Sequence, residues 1–135
     1  MCPICASPDT PIATPSGERS IAELREGDLV YSVEDEAIVA VPLLRVGSTP
    51  VVGHRVMRVS LDDGTVIELS PGHPTADGRL FSDLAQGVKL DDRHAVVRAE
   101  LVPYEHDRTY DILPASSSGT YFAGGALVGS TLRVR

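Results

Sequence analysis

The sequence has no tryptophan, and aromatic residues make up only 4% of its 135 positions. Its interior must therefore rest on Val, Leu, Ile and Ala, which pack without large rings. No stretch approaches the roughly 20 apolar residues that a membrane helix requires. The segment Met1 to Asp9 lacks the basic start and apolar run of a signal peptide. The expectation is a soluble chain without a membrane partner, with the cytoplasm its favoured location. Positive charge is scarce as well: 12 basic residues face 19 acidic ones, a net of −7. Nucleic-acid binding usually needs the opposite balance, so no such partner is expected. The acidic surface and the lack of a heptad pattern favour a monomer. Only two cysteines occur, Cys2 and Cys5. Both lie within the first five residues, so they form no disulfide framework.

What is present is a hydrophobic content of 42% in a chain sized for one core, which excludes a disordered tail. Twelve glycines and ten prolines divide it into segments of four to eight residues rich in Val, Ile, Leu and Thr. That is an all-β pattern. Strands are expected over Thr10 to Thr14, Asp28 to Val33, Ala37 to Val46, Val51 to Leu61 and Thr65 to Leu69. Four more follow at His94 to Val102, Thr109 to Leu113, Thr120 to Ala123 and Ala126 to Val128. Asp62-Asp63-Gly64 carries the Asp-Gly pair preferred in a tight primed hairpin turn. Ser20-Ile21-Ala22-Glu23 reads as a weak capping box opening one helical turn that Gly27 ends, and Ser82 to Ala85 as a second turn stopped by Gly87. No repeat of fixed period is evident. Glu34-Asp35-Glu36, Asp91-Asp92 and the loop Ala115 to Gly119 read as solvated surface.

Candidate chemistry is concentrated in few residues. Cys5 is the strongest nucleophile, because a thiolate is intrinsically reactive and a nearby imidazole helps to form it. The alternative is a small buried hydrophobe. Of the four histidines, His54, His73, His94 and His106, His73 stands out in Ser70-Pro71-Gly72-His73-Pro74. A turn just after a hairpin would aim its ring and the Ser70 hydroxyl at one point, although a turn histidine bonded to backbone is the plainer reading.

Three blocks in order resemble the Hint family, the self-processing module shared by inteins, bacterial intein-like domains and the C-terminal part of Hedgehog proteins. The first runs from Cys5-Ala6-Ser7-Pro8-Asp9-Thr10 through Ile21 to Asp28; the second is Leu61 to Pro74, with Ser70 in the place of the threonine of a Thr-x-x-His signature. The third is Thr109-Tyr110-Asp111-Ile112 with Thr120 to Val128. The resemblance covers almost the whole chain and implies an all-β Hint horseshoe, with residues 1–4 as a short flank and 5–135 as one domain. It further implies that Cys5 attacks the Ile4-Cys5 peptide bond to give a thioester. His73, Ser70 and Asp111 would assist, Asp111 by tuning the thiol or acting in a later step. For Asp111 alone, a turn or β-bulge carboxylate bonded to backbone is an equal reading.

The departures narrow the chemistry. An intein ends in His-Asn before a nucleophile, whereas this chain has Gly129-Ser130 followed by Thr131, and asparagine is absent from the sequence. Asparagine cyclisation, and with it ordinary splicing, is excluded. What the resemblance leaves is thioester chemistry acting in cis on the N-terminal flank, resolved by water or another small nucleophile. A degenerate Hint fold serving as a binding or structural module is the alternative from another class. Cys2-Pro3-Ile4-Cys5 is also a Cys-x-x-Cys motif, suited to a redox pair that masks the nucleophile when oxidised, or, as a third reading, to a redox or metal module that cleaves no peptide bond. It lacks the second pair that tetrahedral zinc needs, so neither a metal nor another cofactor is expected.

Overall fold

The structure, a computed structural model, describes residues 6–132. Among the described residues ten strands form three small sheets, and helical structure is confined to two single 3₁₀ turns. The first hairpin joins β1 (Pro11–Thr14) to β2 (Gly17–Ser20). Next come β3 (Leu29–Glu34), β4 (Ala37–Pro50), β5 (Arg55–Leu61) and β6 (Val66–Leu69). The chain closes with β7 (Val96–Pro103), β8 (Arg108–Pro114), β9 (Tyr121–Ala123) and β10 (Ala126–Val128). The sheet orders are β10-β9-β1-β2, β3-β4-β8 and β6-β5-β7, and all named strand pairs are antiparallel. The fold is all-β, as the strand pattern of the sequence predicts.

β4 runs four residues beyond its expected end because it serves two partners in turn. Ala37 to Pro42 pair with β3, and Leu43 to Pro50 pair with β8 after a register shift between Leu43 and Arg45. Two turn expectations need correction. In the β5–β6 loop only Gly64 has positive φ, and its amide bonds Leu61 while the Leu61 amide bonds Thr65. This is a three-residue loop with Gly in the left-handed position, not a primed two-residue turn. The primed geometry occurs instead at Asp35-Glu36, with φ of 51° and 67°, between the paired residues Glu34 and Ala37. The expected Ser20 capping box does not form either. The turn is held by backbone instead, with Ile21 N donating to the Thr10 carbonyl at 2.9 Å and Ala22 N to the Pro8 carbonyl at 3.3 Å.

Those two bonds belong to an internal repeat hidden from a search for fixed period. Ser7-Pro8-Asp9-Thr10-Pro11 and Ser70-Pro71-Gly72-His73-Pro74 lie 63 residues apart, while the 3₁₀ turns at Ile21–Glu23 and Phe81–Asp83 lie 60 apart. The backbone bonding is the same in both halves. Thr10 N bonds Ser7 O and Ile21 N bonds Thr10 O; His73 N bonds Ser70 O and Phe81 N bonds His73 O. A three-residue difference in loop length displaces the second motif against the first, which is why no single period fits. The equivalent residues Ala6 and Leu69 bridge each other, and Ala6 also bridges Tyr110. Ala6 thus closes the gap between the β6 and β8 edges of two sheets. The core around it is aliphatic, with Ile12, Ile21, Val30, Val59, Leu69, Leu90 and Ile112 buried, and Phe81 and Tyr121 as its large rings.

Several groups expected in solvated turns are tied down. Glu34 accepts the Ser117 amide and hydroxyl, which hold its carboxyl below the usual range. Asp91 accepts from the amides of Arg93, His94 and Leu127, joining its loop to β10.

Candidate functional site

Ala6, the end of β6, the start of β8 and the residues after β10 meet at one place. Ala6 N donates to Tyr110 O at 2.7 Å, and Tyr110 N donates back to Ala6 O at 2.9 Å. Ser70 follows the bridge partner Leu69, and Asp111 follows Tyr110. The residues next to the two bridge partners of Ala6, one just past β6 and one within β8, therefore supply two of the three described candidates, and both are fully buried. His73 is the third, brought inward by the turn in which its amide bonds Ser70 O. Cys5 and its partner Cys2 lie outside the described residues.

His73 is completely buried, and its Nε2 lies 2.7 Å from the Gly129 carbonyl oxygen. A carbonyl only accepts, so Nε2 carries a proton. Burial pushes the ring below the ordinary histidine value, although Asp111 and the Gly129 carbonyl pull the other way. The ring is therefore neutral near pH 7, with its lone pair on Nδ1. That atom is buried and has no hydrogen-bond partner among the described residues. A buried polar atom without a partner is costly in a purely structural role.

Asp111 receives four donors. Ile112 N and the Tyr121 hydroxyl reach Oδ1 at 2.8 and 2.7 Å, while Thr131 N, at 2.8 Å, and the Thr131 hydroxyl reach Oδ2. The Tyr121 oxygen also lies 3.4 Å from His73 Nε2, so Tyr121 spans the carboxylate and the imidazole. Ser70 Oγ lies 2.8 Å from His54 Nε2. The segment at the place of an intein's His-Asn thus enters the site through backbone: Gly129 O on His73 and Thr131 N on Asp111. A side chain at Gly129 would be crowded, with an added Cβ 3.0 Å from Thr75 O and 3.2 Å from Pro74 Cγ.

The arrangement offers an imidazole base, a serine hydroxyl and a fixed carboxylate around the entry of the N-terminal segment. Among the described residues no three His, Cys, Asp or Glu side chains are grouped to hold a metal ion, and no helix is long and apolar enough to cross a membrane. Sequence reasoning missed Tyr121, His54 and Thr131. Tyr121 lies in the third block of the resemblance and His54 is one of four histidines, but no local spacing pairs either with its partner.

No family model and no curated protein matches the sequence. Solved structures do match. A bacterial intein-like domain from Clostridium thermocellum superposes with a TM-score of 0.78 at 17% identity, covering 96% of this chain and 99% of that one. A DnaB intein from Synechocystis sp. PCC 6803 gives 0.76 at 16% identity, covering 96% and 100%. The gp41-1 intein gives 0.70 at 21% identity, covering 95% and 99%. The fold of this chain is the intein fold that the Hint resemblance implies.

Proposed function

We propose that this intein-fold chain is a self-processing domain that carries out thioester chemistry at its own N-terminus and stops short of splicing. The observation that carries the reading is the buried, neutral His73, whose Nδ1 lone pair has no described partner beside the point where the chain enters. Ala6, which follows Cys5 in the sequence, has its amide fixed on Tyr110, which supports a nucleophile acting at this entry.

The reaction balances with the groups at hand. Nδ1 of His73 takes the Cys5 thiol proton, and the sulfur attacks the Ile4 carbonyl carbon. The Ser70 hydroxyl polarises the carbonyl oxygen as it becomes an oxyanion. Nδ1 then returns the proton to the Cys5 nitrogen, the C–N bond breaks, and a thioester with a free amine remains. Water or a thiol attacks that thioester and releases the flank. Residues 5–135 act as the domain in this reading, with whatever precedes Cys5 as the flank. Asp111 acts as a positioning residue: through Tyr121 it steadies His73, and it fixes Thr131 so that Gly129 can hold the imidazole tautomer. Without asparagine, the C-terminal segment supports the ring and does not cyclise.

The test is a carrier protein fused ahead of Ile4 and incubated with dithiothreitol. Wild type is expected to release the carrier; Cys5→Ala is expected to release none, and His73→Gln to slow release about 100- to 10,000-fold, the usual worth of a positioned acid–base group. Equal release from all three overturns the reading. No release from wild type points to the degenerate module instead.

A further inference from the structure

The two halves of the internal repeat treat their equivalent serines differently. In the first half Ser7 Oγ bonds the Thr10 hydroxyl three residues on, at 3.1 Å, and the turn closes on itself. His73 is the counterpart of Thr10, but Ser70 Oγ bonds His54 Nε2 at 2.8 Å. His54 comes from outside the motif, immediately before β5. Its carbonyl accepts the Tyr104 amide at 2.9 Å, and its ring meets the Tyr104 ring edge-on at a centroid distance of 5.6 Å. The outer side of His54 borders a surface hollow formed with Val51, Val52, Pro71 and Leu101. His54 therefore connects a half-exposed ring to a completely buried hydroxyl of the site.

We propose that His54 is a positioning residue that decides whether the Ser70 hydroxyl donates its proton into the N-terminal site or holds it outward. This rests on the self-processing reading. A serine has one hydroxyl proton. When the His54 Nε2 is unprotonated, it accepts that proton and the polarisation of the Ile4 carbonyl is lost. When Nε2 is protonated, it donates to Ser70 Oγ, and the serine proton is released toward the carbonyl oxygen. Burial lowers the titration of His54 below the ordinary histidine value. The titratable or charged groups nearby are Tyr104 after β7, Arg55 beside it on β5, and His106, whose ring meets that of Tyr104 at a tilt, with centroids 5.3 Å apart. No ion pair to His54 occurs among the described residues. Acidification should thus favour the donating state of Ser70.

The experiment follows thiol-induced release from the carrier fusion across pH in wild type, His54→Gln and His54→Phe, each with and without Ser70→Ala. A glutamine amide does not titrate, and with its NH2 group turned to Ser70 it donates at every pH. The rate of His54→Gln relative to wild type is therefore expected to rise about 100- to 1,000-fold with pH through the His54 titration, the scale of a removed oxyanion-hole donor. The ratio cancels the titrations of His73 and Cys5, which both proteins share. In the Ser70→Ala background the ratio should stay flat, and His54→Phe should cost less than twofold. A ratio independent of pH overturns the proposal, and so does one that persists without Ser70. Complete inactivity of wild type would be a failure of the self-processing reading. Nitrogen NMR of His54 then decides the coupling separately: Ser70→Ala is expected to move its Nε2 shift and titration midpoint, and unmoved values overturn the proposal.

Discussion

At the residue scale, His73 bears on stability and on the proposed chemistry. Its folded form resists protonation because it is buried, whereas the unfolded chain binds a proton at about 6.5. Its stabilising contribution is therefore complete above about pH 6.5 and is lost as pH falls toward the lower folded value. Urea unfolding of wild type should show a midpoint that falls as pH drops from about 7 to 5, with a smaller fall in His73→Gln. His54 shifts in the same direction, so a residual slope should remain. Tyr121→Phe removes the hydroxyl between Asp111 and His73, and is expected to cost about 2 kcal/mol in unfolding free energy, the range for a bond to a charged group. An unchanged stability would show that the phenol is replaceable. His73 was legible in the sequence because its turn and its neighbour Ser70 are local. Tyr121, His54 and Thr131 were not, because they meet their partners Asp111 and Ser70 across 10, 16 and 20 residues.

At the element scale, two turns make opposite predictions. The β9–β10 turn places Gly124 and Gly125 at φ of 61° and 88°. A Cβ on Gly124 would lie 2.8 Å from Ile67 Cγ2, while one on Gly125 meets nothing within 4 Å. Gly125→Ala should cost about 1 kcal/mol for backbone strain alone, and Gly124→Ala about 2–4 kcal/mol because overpacking adds to it. Equal losses in thermal unfolding would contradict the packing argument. At the β3–β4 turn, Glu36 occupies left-handed backbone without being glycine. Glu36→Gly is expected to raise stability by about 0.5–1 kcal/mol in the same assay. Strand positions were readable from punctuation by glycine and proline. The turn types were not, because Asp35-Glu36 lacks the glycine that marks a primed turn, and the loop at Gly64 depends on which carbonyls the flanking amides reach. The second half of β4 depended on a partner, β8, that lies more than 50 residues away in sequence.

At the scale of the whole molecule, the repeat explains why one site collects residues from both ends of the chain. The two half-motifs meet at the Ala6–Leu69 bridge, so Ser7 and Ser70 begin equivalent turns on opposite sides of it. β9 then pairs with β1, and Thr75, one residue past the second motif, bridges Val128 at the end of β10. That pairing delivers Gly129 to His73 and Thr131 to Asp111. The halves differ where chemistry is proposed: threonine closes the first turn on its own serine, whereas histidine in the second has no partner for Nδ1 among the described residues. The intein fold was legible through the order of three blocks, even though the internal symmetry that builds it was hidden by unequal loops. The central claim is that this symmetry ends in a working acyl shift at Cys5. Its most direct measurement is the intact mass of a carrier fusion treated with a thiol such as 2-mercaptoethanesulfonate. The account predicts a carrier ending at Ile4 as the thioester of that thiol, together with a domain beginning at Cys5. A single uncleaved mass, identical to that of Cys5→Ala, would contradict it.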